Sequence, residues 1–432
     1  MSTLHPSVGE TAGQYCRVAI FGAGVSGQAA RRLALSLGLE VCLLDECGQG
    51  DACEFSQSEL SEWDAFIFSP GFAQTHPWRV LAESSGLPCY SELGFAALHW
   101  KGRVLGVTGT NGKTTITSLL CNALEVAGQI AVEAGNIGRP LSDVVLSDAN
   151  QAEATAVSEI SSFQAELPLG LQLDGLIWSN FAEDHLDRYD SMADYFAAKA
   201  RLLHCLRAGA PAVLGADVAA FDPRVAKVPG SIVLDGTRDT KGLQAGSPFM
   251  LEPQRSNFAL VLALWRALEL SAAALLDAAN TFELAAHRLS PVATWGGVTF
   301  WDDSKATNFH AALAAIDALA SPVYWIGGGS AKGGDLAAFA RLLAPKVEAA
   351  FLYGVCAPAL AEVLCPLHAR VAVYADFEDA VEAAARAALA DSPSVVLLSP
   401  GFASFDQFAG YAARGKSFIS TVLSLKDAHR LN

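Results

Sequence analysis

The sequence has no uninterrupted apolar run of transmembrane length, no CxxC pair and no basic excess. The first absence argues against a membrane-spanning helix, which needs about 20 consecutive apolar residues. The opening stretch, MSTLHPSVGETAGQYCRVAIFG, also lacks the basic-then-apolar order of a secretory leader. The nine cysteines follow no metal-ligand spacing, and scattered thiols suit a reducing cytosol, so a cytoplasmic protein is expected. Lys and Arg number 29 against 45 Asp and Glu, a net charge of −16. That balance opposes nonspecific binding to nucleic acid or anionic membranes, though a few local cations can still hold an anionic substrate. What is present is a 52% share of hydrophobic residues, enough for real cores, in a chain of 432. At about 150 residues per domain this suggests three domains.

The fold class expected is α/β. CRVAIFGAGVSG reads as a strand and a glycine turn, QAARRLALSLGL as a helix, EVCLLDE as a second strand, and DAFIFSPGF as a further strand ending in a turn. Strand, turn, helix, strand opens a parallel, Rossmann-like sheet. RVLGVTG starts a new unit, with a helix from about Lys113 to Ala127, a buried strand at LDGLIWSN and a helix over SMADYFAAKARLLHCL. NFALVLALWRALEL reads as an apolar helix packed on both sides, after an irregular stretch near 236–256. In the last third WGGVTFWDDS, PVYWIGGG, AAFLYG, VAVYAD and SVVLLSPG read as strands between alanine-rich helices. Boundaries are expected near Lys101 and Ala285, giving domains 1–100, 101–285 and 286–432.

GVTGTNGKTT, Gly106 to Thr115, has the order that phosphate binding requires: strand, glycine loop, Lys, Thr, helix. Loop amides and a helix N-terminus supply positive potential. Lys113 would neutralise the β and γ oxygens, and the Thr114 hydroxyl would join a Mg²⁺ shell. The strict motif wants glycine five residues before Gly112, where this chain has Val107. The earlier turn, Gly22, Gly24 and Gly27, fits GxGxxG, with Asp45 ending the next strand. Taken alone it allows a nicotinamide or flavin, another nucleotide, or a purely structural turn. No hydride-transfer constellation accompanies it.

Glu159 in SEISSFQ and His185 in SNFAEDHLDRYD follow apparent strands, which puts both at the carboxyl edge of a sheet beside the phosphate loop. Glu159 could hold Mg²⁺, a hard cation that prefers oxygen. Lys199 lies on an expected helix. Arg288, Lys305 and Lys332 bring positive charge to the last third, and Asp303 and Lys305 flank Ser304 just after a strand.

Taken in order, TGTNGKTT, SEISSFQ, EDHLDRY followed by AAK, HR, DDSKATN and SPGFASFDQF resemble the Mur ligase family from about Arg17 to Gly415. The resemblance implies three domains: a Rossmann-like domain for the UDP part of a nucleotide sugar, a P-loop-type ATPase domain, and a Rossmann-like domain for ATP and the incoming amino acid. It implies an ATP-dependent, ADP-forming ligase that acts as a monomer in peptidoglycan synthesis, and so in cell-wall biogenesis, cell shape and cell division. UDP-N-acetylmuramoyl-L-alanine, D-glutamate and ATP would be the substrates, with two Mg²⁺ sites. Val25, Ser26, Asp45, Glu46, Ser69, Pro70, Gly71 and Asn136 would then hold the UDP-sugar. Gly109, Thr110, Asn111, Gly112, Lys113, Thr114 and Thr115, with Asn257, Arg288, Asp303 and Lys305, would hold ATP. Thr114, Glu159, His185 and Lys199 would serve metal, Lys199 as a carbamate. Lys113, Glu159, His185 and Lys199 would carry catalysis, and Thr307, Lys332, Ser404 and Tyr411 would hold glutamate.

Two stretches depart from the family's pattern. The L-x-G-x-H-N-x-x-N segment reads FMLEPQRSN here, keeping only Asn257, which bears on adenine or ribose contacts. The terminal SPACAS motif reads SPGFAS, with Phe402 in place of a smaller residue near the acceptor. The alternatives are a ligase for L-glutamate or another acceptor, and a catalytically silent nucleotide-binding scaffold.

Overall fold

The computed structural model describes residues 15–234, 239–319 and 322–430. The leader-free reading of the first fourteen residues, and part of the irregular stretch after Leu234, lie outside them. The described chain forms three sheets and two compact units. Of the described residues, one unit holds 15–181, 193–234, 239–247 and 256–282, and the other holds 182–192, 248–255, 283–319 and 322–430.

The first unit carries two sheets. In the first, β1 (Arg17–Phe21), β2 (Glu40–Leu44), β3 (Ala65–Phe68) and β4 (Cys89–Ser91) run parallel in the order β2-β1-β3-β4. The reason is legible in the side chains: AFIF of β3 is buried at every position, as a strand covered on both faces must be. In the second, β5 (Arg103–Thr108), β6 (Ala131–Gly135), β7 (Thr155–Glu159), β8 (Gly175–Trp178), β9 (Ala212–Leu214) and β10 (Ser231–Val233) are ordered β10-β9-β8-β5-β7-β6, again all parallel. In both sheets the first strand in sequence sits inside, with later strands on either side. That is the topological switch point, where a crevice opens beyond the strands' carboxyl ends.

A seam of polar contacts joins these two sheets. Arg79 pairs with Glu166 at 2.5 Å with both side chains buried. Glu92 accepts from the Ser142 amide at 2.7 Å, and so caps the helix Leu141–Val145, whose own N-cap residue is proline. Glu92 is 2% exposed, its second oxygen has no partner, and burial pushes its carboxyl up to about 7.

The second unit holds β11 (Ser290–Trp295), β12 (Val298–Asp302), β13 (Val323–Gly328), β14 (Ala349–Tyr353), β15 (Val371–Tyr374) and β16 (Ser394–Leu398), ordered β11-β12-β16-β13-β14-β15. One core packs Trp325, Phe339, Leu397 and Phe402 together, and another packs Tyr324, Phe351, Phe377 and Phe418. The helix Phe377–Ala390 buries Ala380, Ala384 and Ala388, small residues spaced by one helical turn that lie flat on the sheet.

The structure corrects four local expectations. WGGVTFWDDS is not one strand: Gly296 and Gly297, at φ 58° and 78°, form a two-residue turn between antiparallel β11 and β12, as a primed hairpin turn requires. The helix over SMADYFAAKARLLHCL ends at Ala200 and tightens into a 3₁₀ turn, Arg201–Cys205. The apolar helix starts at Gln254, inside the stretch expected to be irregular. Strands β4, β6, β9 and β10 have no counterpart in the sequence reading, because three of them are only three residues long and β6 contains Glu133 and two alanines.

Candidate functional site

The GxGxxG turn closes the crevice at the ends of β1 and β3. Gly22 has φ 96°, and a Cβ on Gly27 would fall 1.7 Å from the Gly22 carbonyl oxygen, so only glycine lets the helix Val25–Ser36 start this close. Gly24 is the opposite case: a Cβ there would meet nothing within 4 Å. Val25 beside it is 74% exposed. The Asp45 carboxylate accepts from the Ala23 amide at 2.9 Å and the Cys47 amide at 3.0 Å, and the Ala23 bond foremost holds it below the usual carboxylate range. Glu46 lies 3.3 Å from the His76 ring, and Ser69 donates to the Gly22 carbonyl at 3.2 Å. Val25, Ser26, Asp45, Glu46, Ser69, Pro70 and Gly71 therefore gather at one sheet edge. Phe72, stacked on Trp78 and edge-on to His76, walls the same turn and was missed by sequence reasoning. Asn136 belongs to the second sheet.

At the carboxyl end of β5, residues Gly109 to Gly112 lead into the helix Lys113–Val126. Gly109 and Gly112 hold φ 144° and 82°, and a Cβ on Gly109 would lie 1.9 Å from the Ser179 hydroxyl. Lys113 folds back, donating to the carbonyls of Gly109 at 3.0 Å and Thr110 at 2.8 Å. Lys199 is 1% exposed and donates to the same Gly109 carbonyl at 2.9 Å, with its ammonium 4.9 Å from the Tyr195 ring. Two ammonium groups thus converge on one oxygen. Beside them Thr114 donates to Glu159 at 2.8 Å, and Asn136 donates to the other Glu159 oxygen at 2.8 Å. This places a hydroxyl and a buried carboxylate side by side, an oxygen pair chemically suited to Mg²⁺. Asn257 packs on Gly112: a Cβ there would lie 2.4 Å from its amide oxygen.

Two residues that no motif pointed to hold the loop's shape. The Asn180 side chain accepts from the amides of Thr110 at 3.1 Å and Asn111 at 2.8 Å, while Ser179 donates to the Asn111 carbonyl at 2.6 Å. Their only signal was position, SN directly after a buried strand beside the loop.

His185 lies in the second unit, in a left-handed conformation at φ 57°, its ring 3.8 Å from Asp184. Arg288 sits between His287 and Leu289, two non-glycine residues at φ 65° and 42°. Such strain persists only where surroundings impose it. Here His287 meets Asp302 at 2.6 Å, and the Leu289 amide donates to Asp303 at 3.0 Å. Asp303 also accepts from Ser399 at 2.8 Å; desolvation pushes its carboxyl up to about 7, although the residue keeps some solvent contact. The Lys305 ammonium stands 4.0 Å from the Tyr411 ring.

A small cleft of about 20 Å³ opens between Thr307, Asn308, Lys332, Gly333, Glu183, Asp184 and Phe402. Lys332 lies 3.4 Å from the Thr307 hydroxyl and 4.0 Å from Asp184, which also accepts from Asn308 at 3.1 Å. Of the four expected glutamate residues, Thr307 and Lys332 line this cleft; Ser404 and Tyr411 are not among its lining residues. Arg414, wholly buried, was missed: it donates to Ser304, Phe402 and Tyr353, tying the loops around the cleft together.

Comparison with known proteins gives the family. The profile of the Mur ligase middle domain matches residues 107–271, and that of the Mur ligase glutamate ligase domain matches 287–402. The chain is 34% identical to the UDP-N-acetylmuramoylalanine--D-glutamate ligase of Phenylobacterium zucineum, over 95% of this chain and 96% of the relative. It is also 34% identical to the enzyme of that name from Gloeobacter violaceus, over 94% and 99%. Among solved structures it resembles MurF ligase from Thermotoga maritima in complex with ADP, at TM-score 0.57 and 16% identity, over 83% of this chain and 94% of that one.

Proposed function

The chain belongs to the Mur ligase family, and from that premise we propose that it is an ATP-dependent, ADP-forming ligase joining D-glutamate to UDP-N-acetylmuramoyl-L-alanine in peptidoglycan precursor synthesis. The observation that carries this reading is Lys113 folded onto the Gly109 carbonyl at the head of its helix, beside the Thr114–Glu159 pair. A carboxylate resists attack by an amine because its charge is delocalised and repels the lone pair. Transfer of the terminal phosphoryl group of ATP converts it to an acyl phosphate, a good electrophile. Lys113 and the helix N-terminus would stabilise the charge that spreads over the moving phosphoryl group. The amine of glutamate then attacks the acyl carbon, and phosphate leaves as the amide forms.

Thr114, Glu159 and a carbamylated Lys199 would hold Mg²⁺, and the ion would screen charge on the phosphate oxygens. Carbamylation would turn the Lys199 ammonium into an anionic oxygen donor. Gly109 to Thr115, with Asn257, would be the first unit's ATP contacts, and Arg288 and Lys305 those of the second unit. In this reading Asp303 acts from behind, holding the Arg288 segment through the Leu289 amide. The open turn at Gly24, with Val25, Ser26, Asp45, Glu46 and Ser69 to Gly71, would take the UDP group, while Asn136 would orient Glu159. The cleft at Thr307 and Lys332 would take the acceptor, helped by Ser404 and Tyr411. Nine free thiols and the use of ATP fit a cytoplasmic enzyme.

The test is product analysis with UDP-N-acetylmuramoyl-L-alanine, ATP, Mg²⁺ and separate D- and L-glutamate, using substrate labelled with ¹⁸O in the alanyl carboxylate. Ligation of D-glutamate with label appearing in released phosphate is expected. Ligation confined to the L enantiomer would overturn the stereochemistry, and unlabelled phosphate would overturn the acyl-phosphate route.

A further inference from the structure

We propose that the first unit carries a second binding site, for a small organic anion with an apolar body, in a cavity of about 780 Å³ on the seam between its two sheets. The proposal does not rest on the ligase reading, because the cavity shares no lining residue with the phosphate loop or the GxGxxG turn. Tyr90 and Leu98 line it from the first sheet's side, and the loops 168–172 and 204–208, with Arg201, line it from the second. Those loops lead into the amino ends of β8 and β9, whereas Glu159 and the phosphate loop stand at carboxyl ends. The lining has two characters. Leu98, Pro168, Leu169, Leu171 and Leu206 are apolar, while Arg201, His204 and Arg207 are basic. Among the described residues no aspartate or glutamate lines the cavity, in a chain whose net charge is −16. Arg207 pairs with Asp174 at 3.2 Å, yet its side chain stays 49% exposed. Arg201 donates to the Glu166 carbonyl, an acceptor that leaves its charge unbalanced. A guanidinium has five N–H donors, more than either contact uses, in a planar fork that suits a carboxylate, sulfonate or phosphate.

The walls are fixed before any ligand arrives. The two loops are tied to each other: the Leu173 amide donates to the Cys205 carbonyl at 2.8 Å, and the Arg207 amide donates to the Leu173 carbonyl at 2.9 Å. The Ser91 amide donates to the Leu167 carbonyl at 3.2 Å, which joins the first sheet to the same wall. Two glycines permit that approach. A Cβ on Gly94 would lie 2.2 Å from the Leu169 carbonyl oxygen, and one on Gly170, at φ 83°, would lie 2.5 Å from the Gly94 oxygen. Tyr90 is held too, its hydroxyl 2.7 Å from that of Tyr15. A preformed, largely apolar cavity with a few convergent polar groups is the usual form of a small-molecule site. An apolar body would displace water from the leucines, while its anionic head pairs with Arg201 and Arg207.

The experiment titrates the full chain with 8-anilinonaphthalene-1-sulfonate, whose fluorescence rises in apolar surroundings, with ADP and UDP in excess to occupy the nucleotide crevices. N-phenyl-1-naphthylamine, the same rings without the sulfonate, is titrated in parallel. Saturable binding of one sulfonate per chain is expected, tighter than that of the uncharged probe. Arg207→Gln should cut that advantage about fivefold or more, and Arg207→Lys should keep most of it. Ala208→Trp should weaken both probes by filling the cavity. Arg224→Gln, which changes an arginine 87% exposed elsewhere in the unit, should alter neither. Absence of saturable binding beside the nucleotides would overturn the proposal. So would a sulfonate advantage that Arg207→Gln and Arg224→Gln lower equally, because net charge alone would then explain it. Binding that both Arg207→Gln and Ala208→Trp leave unchanged would place the probe elsewhere and overturn it as well.

Discussion

The two glycine turns of the first unit look alike in sequence and differ in what fills them. Around Gly24 the turn is open where a Cβ would stand and carries no lysine; the carboxylates Asp45 and Glu46 are each already engaged. Around Gly109 the loop is full: two ammonium groups share its carbonyl, and a hydroxyl–carboxylate pair stands beside them. The first is built for fit and the second for charge. A GxGxxG spacing therefore reports only that a backbone approaches something closely, whereas the lysines, Thr114 and Glu159 report what happens to it.

Breaking this contrast at its charged end should give the largest effect. Lys113→Ala removes a cation from the phosphoryl path and should cost on the order of 10³-fold in turnover, while binding of the UDP-sugar, followed by calorimetry, stays intact. Gly27→Ala strikes the other turn through packing: a Cβ 1.7 Å from the Gly22 oxygen forces the helix away. The expected loss of stability is about 2–4 kcal/mol by denaturant titration.

The seam that joins the two sheets gives a third test. The folded-state value of Glu92 is raised from 4.5 to about 7. The stability it contributes is thus fully present below pH about 4.5 and lost as pH rises through about 7. Glu92→Gln keeps an acceptor for the Ser142 amide without the buried charge. It should stabilise the protein above pH 7, by on the order of 3 kcal/mol at most, and make little difference at pH 4; unfolding midpoints across that window decide it. The smallest change sharpens the comparison most. Gly24→Ala adds a methyl group that touches nothing, so stability should stay within about 0.5 kcal/mol, while the KM for the UDP-sugar rises severalfold as the KM for ATP holds.

Much of this was legible in the sequence because parallel strands buried on both faces read as plain apolar runs. PVYWIGGG, AAFLYG and SVVLLSPG each contain a strand, at Val323–Gly328, Ala349–Tyr353 and Ser394–Leu398. The order of short motifs brought Lys113, Glu159 and Lys199 into view, and the fold gathers those three at one sheet edge. What stayed hidden were residues that act through geometry alone. Asn180 and Ser179 brace the loop from a neighbouring strand, and Arg414 reaches back from a distant helix to Ser304 and Phe402. The β11–β12 hairpin was missed because SPVATW looks like the tail of a loop until its antiparallel partner is known. The inward role of Asp303 depends on Ser399 and Leu289, contacts that no local pattern announces.

Asn180 carries one more consequence. Its single oxygen takes up the amide hydrogens of Thr110 and Asn111 before any nucleotide arrives. Those two bonds fix the backbone of the loop, so the entropy of shaping it is spent when the chain folds and not again at each encounter with ATP. A variant such as Asn180→Ala would leave the same loop residues with a backbone that must be re-ordered in every cycle.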